Sequence, residues 1–362
     1  MNRILLAIIT SVACITPAFA QTTQKLTANK VNEYGLIYTL PVTEIRLTVE
    51  AEKTVKQPGE FFRYAKKYLG IDPITEASSA YSLKSVTITP QGAADESQRY
   101  LVQFKSGSSP FMMLNEADFP IAINTEDVPA QDAPALPVAV PAKPTILQTE
   151  AAAQAVTAEM LQSPSSAKRA ELAAARIFEL RQSRSDIISG TAENMPADGQ
   201  AMQLALDNLS AQEQALTAMF VGTVQTSTEV ASFTVRPNGD DDESQQVFAR
   251  LSVLDGIVDA SNLSGDPVVA SIKVTDHGIL PVNDKGEVKR FPKGGFAYRI
   301  PGSAHVSVLF DGRRIADADI SVAQYGVVFG LDPNLFTDKK TPAYAILDPV
   351  TGAITELGTI TN

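Results

Sequence analysis

GLIYTLPVTEIRLTVE, residues 35–50, is the stretch of this 362-residue chain that decides the fold class. In its second half apolar and polar residues alternate one by one: Ile45, Leu47 and Val49 against Arg46, Thr48 and Glu50. Successive side chains of a β-strand point to opposite faces, so this period of two predicts a strand with one buried face. We therefore expect a β-sheet near the start of the fold.

The residues that follow predict a short helix and two further strands. In FFRYAKKYLG, residues 61–70, apolar residues recur at helical spacing and Gly70 ends the pattern. A helix that packs on a sheet explains this aromatic stripe more simply than a ligand platform does. Strands are predicted at residues 85–89 and 100–105, joined by a polar turn at residues 94–97.

A proline-rich segment separates these elements from the rest of the chain. Residues 127–145 contain five prolines and five alanines but no glycine. Each proline removes an amide donor and favours an extended conformation in the residue before it. The composition predicts a stiff, extended connector over residues 127–148, and a spacer role is favoured over a polyproline recognition role.

Helical periodicity replaces the strand pattern between residues 149 and 220. A first helix is predicted at residues 150–162, where Ser163-Pro164 ends it and begins the next helix with a serine cap. That second helix has a narrow seam of alanine, isoleucine and leucine, which includes Ile187 and Ile188, and it ends at Gly190. Residues 210–213 (SAQE) form a capping box that predicts a helix restart there. The short connections predict an antiparallel helical hairpin.

Strand patterns return after Gly222 and continue to the end of the chain. The predicted strands are residues 230–235, 247–253, 268–274, 296–300, 304–310, 315–323, 325–331, 343–348 and 353–357. Turn sequences such as Asn238-Gly239 and Asp311-Gly312 separate them. Many short strands without intervening helices predict an antiparallel, sandwich-like β domain.

The first twenty residues, MNRILLAIITSVACITPAFA, have the parts of a signal peptide. Arg3 supplies the positive charge, residues 4–15 the apolar core, and Ala18-Phe19-Ala20 the cleavage site. The apolar run is too short to span a membrane. We expect cleavage after this site rather than a lipid anchor at Cys14, because Ser11 occupies the position where a lipobox has a leucine-like residue.

Composition and charge exclude several classes of function. The chain is 44% hydrophobic and 20% charged, which is typical of a globular protein. It has 30 Lys and Arg against 41 Asp and Glu, a net charge of -11 that disfavours binding to nucleic acid. Cys14 is the single cysteine and would leave with the signal peptide, so the mature chain has no thiol for catalysis, disulfides or zinc.

The sequence assigns no catalytic, cofactor-binding or metal-ligating residue. His277 and His305 are the two histidines, and neither is accompanied by a GxSxG nucleophile motif, so structural or surface roles are expected. The carboxylates of residues 240–243 (DDDE) lack the glycine and distal glutamate of an EF-hand, which favours a solvated turn over a weak calcium site. Glycosidases need only two carboxylates, so a glycan hydrolase stays open, although the absence of tryptophan argues against it.

Several motifs in a fixed order resemble one family. They are residues 25–34 with Tyr38, residues 64–71 (YAKKYLGI), Ala94-Asp95 before Tyr100, residues 175–181 (ARIFELR), Asp198-Gly199, residues 298–301 (YRIP), residues 323–326 (AQYG) and residues 348–353 (DPVTGA). Over residues 26–357 the chain resembles the exported envelope proteins of Bacteroidota catalogued as domain of unknown function 4831.

The resemblance implies a location in the periplasm or at the outer-membrane surface, and it implies no activity and no catalytic residues. Gly70 and Gly352 suit positive backbone dihedrals at a helix end and a hairpin. Tyr298 and Tyr325 suit a β core that leaves a polar tip for a hydrogen bond. These motifs are therefore expected to have structural roles.

The sequence as a whole predicts an α+β protein in five parts. They are a signal peptide (1–20), an N-terminal β-rich domain with one packed helix (21–126), a Pro/Ala-rich connector (127–148), a helical hairpin (149–222) and a C-terminal antiparallel β-sandwich-like domain (223–362). The predicted function is that of a non-catalytic protein-binding or accessory subunit at the outer membrane, with an envelope protein as partner. The alternative is a periplasmic glycan or peptidoglycan hydrolase that uses a carboxylate pair. The sequence does not tell which β domain the helices pack on.

Overall fold

The computed structural model describes residues 22–25, 35–103, 110–130, 135–196, 199–338 and 341–360. The predicted signal peptide and Cys14 lie outside the described residues. The strands are β1 Thr22–Lys25, β2 Leu36–Gln57, β3 Ser78–Gln103, β4 Met112–Leu114, β5 Pro120–Ile123, β6 Thr223–Val235, β7 Glu243–Ser252, β8 Gly256–Asp259, β9 Asp266–Asp276, β10 Phe296–Phe310, β11 Arg313–Leu331, β12 Ala343–Leu347 and β13 Ile354–Thr359. The helices are α1 Ala65–Leu69, α2 Glu150–Ala155, α3 Ala158–Gln162, α4 Ser166–Ser189, α5 Gln200–Val221 and α6 Asn334–Thr337.

The strands form three sheets whose pairings are antiparallel. Their strand orders are β1-β3-β2-β6, β11-β10-β9-β7-β8 and β13-β12-β5-β4. This arrangement confirms the predicted α+β class with antiparallel sheets. Two sheets combine strands from before and after the helices, because β2 pairs with β6 over residues 45–57 and β5 pairs with β12. The boundaries predicted at residues 126 and 222 therefore fall between strands that share a sheet.

Four long strands, β2, β3, β10 and β11, pass through two separate β cores and carry bulges where the cores meet. In β3, residues 95–98 bulge out opposite Leu40 of β2. In β11, residues 323–326 bulge out opposite Pro301 of β10. The polar turn predicted at residues 94–97 is therefore wrong, and so are the breaks that divided β10 and β11. A bulge uses the same small and polar residues as a turn but lets the strand continue.

The larger β core lies between the first two sheets, which pack face to face as in a sandwich. The predicted alternation is confirmed on β2, where Ile45, Leu47 and Val49 are fully buried. Opposite them, β9 and β10 contribute the buried side chains of Val268, Ala270, Ile272, Ala304, Val306 and Val308. The first of these sheets combines strands from before and after the helical hairpin, whereas all five strands of the second follow the hairpin.

A smaller β core forms where the third sheet covers the ends of the long strands. Its buried residues include Tyr38, Tyr100, Ile123, Phe296, Leu331, Phe336, Ala345 and Leu347. The elements β4, β5 and α6 belong to this core and were not predicted. Each has three or four residues, which is too short for a hydrophobic period to be recognised.

The helices form the predicted hairpin and a third core at the other end of β2. The buried seam of α4 contains Ala170, Ala173, Ala174, Ile177 and Leu180. Leu216 and Phe220 of α5 close the seam, and Phe220 lies 5.4 Å from Phe61, ring centre to ring centre. The hairpin therefore packs on the 61–69 helical segment of the N-terminal part. Gly70 ends α1 with a φ of 70°, as expected from the resemblance.

The first predicted helix, residues 150–162, is divided into α2 and α3. The chain is extended at Val156, and the Thr157 hydroxyl then accepts a hydrogen bond from Met160 N at 3.3 Å and caps α3. Val156 and Thr157 are both β-branched, and the Thr157 side chain can cap a helix, so a new helix starts here. The alanines in this segment have helical spacing, and that spacing alone predicts one continuous helix.

Two predicted helix starts are also wrong. The cap of α4 is Ser165, whose hydroxyl accepts from Lys168 N at 3.4 Å, and not Ser163 of the Ser-Pro pair. The capping box at residues 210–213 does not begin a helix, because α5 is continuous from Gln200 to Val221. Its glutamate, Glu213, binds two arginines of α4 instead of a backbone amide.

The connector contacts the outer edge of β6 around residues 140–143. Val140 exchanges two backbone hydrogen bonds with Thr228, of 3.0 and 2.8 Å. Further along, the Gln225 side chain donates to Lys143 O at 2.8 Å. Among the described helices, none has the combination of length and apolarity that a bilayer crossing requires.

Candidate functional site

Motifs that carry the family resemblance meet at the boundary between the two β cores. Arg299 of β10 lies at the centre, and its side chain is only 6% exposed. Its Nη2 donates to Asp95 Oδ2 in the β3 bulge at 2.5 Å, and its Nη1 donates to Ala323 O in the β11 bulge at 3.4 Å. Its main-chain N–H donates to Gly352 O at 2.9 Å. One arginine thus joins three segments that are far apart in the sequence.

Gln324 of the β11 bulge completes the hydrogen bonding of β2 where β6 ends. Its Oε1 accepts from Thr43 N at 2.9 Å, and its Nε2 donates to Thr43 O at 2.9 Å. The pairing of β6 with β2 extends only as far as Ile45. The side-chain amide therefore takes the place of a neighbouring strand for the fully buried Thr43.

The loop after β12 supplies the third side of this cluster. Asp348 Oδ1 accepts from Val350 N at 3.1 Å and Oδ2 accepts from the Thr351 hydroxyl at 2.7 Å. Gly352 has a φ of 72°, as expected from the resemblance, and its N–H donates to Asp348 O at 2.7 Å. These hydrogen bonds fix the loop, so that Gly352 O accepts from the Arg299 N–H and Val350 O accepts from the Thr43 hydroxyl. We call Asp95, Arg299, Gln324 and loop 348–352 the Arg299 junction.

The Arg299 junction is a buried structural cluster rather than a reactive site. Burial lowers the pKa of Arg299, and the Asp95 carboxylate opposes that shift only in part. Tyr325 beside it is 2% exposed, and its hydroxyl has no hydrogen-bond partner among the described residues. A group that transfers a proton must reach its substrate. The charged atoms here contact other parts of the same chain, so we assign the junction to holding the cores together.

Each histidine contacts an exposed aspartate at the surface. His277 Nε2 lies 3.0 Å from Asp242 Oδ1, while its Nδ1 lies 3.3 Å from Tyr325 O. His305 Nδ1 lies 2.7 Å from Asp319 Oδ1. The two carboxylates are 85% and 82% exposed, respectively. Neither histidine has a nucleophile beside it among the described contacts.

The acidic turn at residues 240–243 is engaged with its own neighbours. Besides the contact of Asp242 with His277, Asp241 accepts a hydrogen bond from Asn238 Nδ2 at 3.0 Å. Across the part of the chain that the structure describes, no group of three or more His, Cys, Asp and Glu is arranged to hold a metal ion.

An acidic cleft of about 1010 Å³ opens beside the smaller β core. Glu126 and Asp127 line it from the start of the connector, and Phe111 adds a half-exposed aromatic ring. Tyr344 of β12 and Glu356 of β13 also line the cleft, and the Tyr344 hydroxyl donates a hydrogen bond to Glu356. That hydrogen bond raises the pKa of Tyr344. No local sequence pattern predicts this cleft, because its carboxylates come from segments more than 200 residues apart.

The outer half of the helical hairpin extends beyond the buried seam of the third core, against which Leu209 of α5 still packs partly buried. Among the described residues from 181 to 214, none is buried. We call this part of α4 and α5 the helical arm. Along the axis it extends roughly 13–22 Å beyond the last buried seam residues, at 1.5 Å per residue.

Two kinds of side chain characterise the helical arm. Glu213 holds its base together, because its two oxygens accept from Arg181 and Arg184, each at 2.6 Å. Large apolar side chains near its end are exposed: Ile188 by 69%, Leu204 by 63% and Met195 by 45%. The prediction that Ile188 belongs to the seam is therefore wrong. Neighbouring Ile187 takes the inner position, and helical spacing alone does not separate two adjacent isoleucines.

Comparison with known proteins finds one match. A family model described as "Domain of unknown function (DUF4831)" matches residues 34–355. No curated protein and no solved structure matches the chain.

Proposed function

This chain belongs to the family described as domain of unknown function 4831, and we propose that it is a non-catalytic protein-binding subunit of the cell envelope. In this proposal the protein is exported, is located in the periplasm or at the outer membrane, and uses the helical arm to dock on an envelope protein. The observation that carries the proposal is the exposure of Ile188 and Leu204 on an arm in which no described residue is fully buried.

The helical arm contributes no fully buried side chain to any core among the described residues. Scattered exposed apolar residues are normal on a protein surface. Ile188 and Leu204 differ because the arm around them has no buried residue of its own among those described, so stability of the cores does not explain them. A two-helix projection with apolar side chains near its end suits insertion against a groove or helix of another protein.

Site-specific photo-crosslinking in native envelopes tests this proposal. A photoreactive amino acid is placed at Leu204 or Ile188, and at Leu263 as a matched control that is 80% exposed in a loop far from the helices. We expect one discrete adduct from the two arm positions and none from the control position. The same adduct from all three positions, or none from the arm of a protein that purifies as a monomer, contradicts the proposal.

Export is tested separately by the mass of the mature chain. Cleavage after Ala20 leaves an unmodified protein that begins with Gln21. Lipid attachment at Cys14 instead leaves seven further residues, 14–20, and a diacylglyceryl group, and C14S abolishes that modification. We expect the unmodified form from wild type and an identical mature mass from the variant.

A second candidate function is supported by the acidic cleft. A periplasmic glycan or peptidoglycan hydrolase needs an acid and a second carboxylate on opposite sides of the scissile bond. Glu356 and the Glu126-Asp127 pair line one cleft with two aromatic rings, which suits this chemistry. The test is digestion of purified peptidoglycan by wild type and by E356Q. Release of fragments by wild type alone favours this candidate, and identical inactivity of both removes it.

A further inference from the structure

A groove of about 640 Å³ lies between the connector and the first half of β6. Its roof is the segment from Val140 to Ile146, and its floor is the segment from Gly222 to Thr228. The Val140–Thr228 hydrogen bonds fix one end of the roof, and the bond from Gln225 to Lys143 O fixes the middle. We call this space the strap groove.

The groove exposes unused hydrogen-bonding groups of β6. Thr228 directs its N–H and C=O toward the connector, so by the alternation of an antiparallel ladder Thr226 and Val224 do the same. Neither residue has a backbone partner on that side among the described residues. Pro144 would lie opposite Val224 if the connector continued the ladder, and it has no N–H to donate. The connector therefore leaves the strand edge after Val140 and the edge stays open.

The charge of the groove is opposite to that of the whole chain. Its charged lining residues are Lys84 and Lys143, in a protein of net charge -11. Lys84 Nζ binds Glu50 Oε1 at 2.6 Å, whereas Lys143 has no carboxylate partner among the described contacts. Half-exposed Val140 and Val224 add apolar surface at the rim. An open strand edge, a free cation and two apolar side chains thus occur in one place.

We propose that the strap groove binds an extended acidic peptide segment of another protein. The segment adds to β6 as a short strand, exchanging hydrogen bonds with Val224 and Thr226, and places a carboxylate at Lys143. Strand addition is an established mode of peptide recognition in which the main chain supplies affinity and side chains supply specificity. The groove is separate from the helical arm, so the two proposals stand or fall independently.

Peptide titration of the full mature chain tests this proposal. The probes are a labelled six-residue peptide that alternates valine with aspartate, and its counterpart with asparagine in place of aspartate. We expect the acidic peptide to bind at least about tenfold more tightly, a difference of about 1.4 kcal/mol. Binding should weaken with salt, because the cation is exposed. Equal binding of the two peptides, or no binding of either, overturns the proposal.

Two matched pairs of variants locate the binding. T226P removes a backbone N–H of β6 that points into the groove. T234P is its control, because it removes an N–H on the same edge of β6 but outside the groove. Proline is tolerated at such edge positions of a sheet. K143Q removes the cation, and K285Q removes an exposed lysine of a distant turn. We expect about tenfold weaker binding for T226P and K143Q and no change for the controls, with unchanged circular dichroism for all four.

Two other occupants give distinct results that overturn the proposal. If a second copy fills the groove, the protein dimerises with rising concentration and T226P prevents it. If an anionic glycan is the ligand, oligogalacturonate displaces the peptide and binds T226P as well as wild type, because a glycan does not use the strand edge. Amide hydrogen exchange completes the test, since the peptide must protect residues 223–228.

Discussion

Arg299 is an ionised side chain that holds three segments together while it is almost out of contact with water. Its ion pair with Asp95 is unequally buried, since the arginine is 6% and the aspartate 17% exposed. Removing one partner of a buried pair leaves the other charge without compensation, which costs more than removing both. The pair therefore makes the boundary between the cores sensitive to single substitutions.

We expect D95N to lower the free energy of unfolding by about 3 kcal/mol, because the charge of Arg299 stays buried without its carboxylate. The double variant with R299M should recover part of this loss, since both charges are then absent. Urea unfolding measures the differences. D319N is the control, because this carboxylate is 82% exposed and should change stability by less than about 0.5 kcal/mol. An equal loss of unfolding free energy in D95N and D319N would contradict the role assigned to the Asp95–Arg299 pair.

Three buried tyrosines and the partly buried Tyr298 limit the stability of the protein at alkaline pH. Burial raises the pKa of all four: Tyr38, Tyr100, Tyr298 and Tyr325. The unfolded chain releases these protons near about pH 10, whereas the folded chain retains them. Their contribution to stability is therefore complete below about pH 10 and is lost as the pH rises toward their folded-state pKa values.

We expect the ionisation of these four tyrosines to coincide with unfolding above about pH 10. The chain has no tryptophan, so tyrosinate absorbance can be followed without interference. Circular dichroism reports unfolding in the same titration. Complete ionisation of all nine tyrosines before any loss of secondary structure would show that the four are not buried.

None of the partners of Arg299 could be predicted from the sequence. The motifs around Asp95, Arg299 and Gln324 were recognisable as motifs, and their structural role was expected. Their convergence depends on tertiary contacts, such as that of Asp95 with Arg299 across 204 residues and that of Gln324 with Thr43 across 281, for which no local pattern carries a signal. Gly352 was different, because a glycine in a turn sequence already indicates a positive φ at its own position.

At the scale of elements, the sequence predicted periodic segments well and interruptions poorly. The alternation at residues 45–49, the seam of α4 from Ala170 to Leu180 and the end of α4 at Gly190 are confirmed, whereas Ile188 lies outside the seam. The bulge at residues 95–98 was read as a turn, and the capping box at residues 210–213 as a helix start. In each case the residue types fit both structures, and tertiary contacts decide: Asp95 binds Arg299, and Glu213 binds Arg181 and Arg184.

The clamp at Glu213 makes the helical arm a unit whose stability can be changed alone. We expect E213Q to accelerate amide hydrogen exchange about fivefold within residues 181–189 and 200–213, a loss of about 1 kcal/mol for a partly exposed pair. Amide exchange in β2 and β10 should not change, because these strands belong to the two β cores and the arm is part of the helical hairpin. E179Q is the matched control, since Glu179 forms an exposed pair with Arg176 nearer the body. An equal effect of both variants would argue against the clamp.

At the scale of the whole molecule, the long strands connect the two β cores mechanically. β2, β3, β10 and β11 each contribute side chains to both cores, while β9 belongs only to the larger core and β12 only to the smaller one. The sequence divided the chain into consecutive parts because local patterns follow chain order. Strand pairing does not follow it, since β6 completes the sheet of β2 and β12 pairs with β5.

Because of these shared strands we expect the two β cores to unfold in one cooperative transition. L347A removes a buried side chain of the smaller core and L47A one of the larger core, each at a cost of about 2–5 kcal/mol. Native-state hydrogen exchange in β9 and β12 reports each core separately. If the strands couple the cores, L347A lowers protection in β9 as much as in β12, and L47A does the converse. Loss of protection confined to the mutated core would instead mean that the bulges at residues 95–98 and 323–326 act as hinges between two independently folding units.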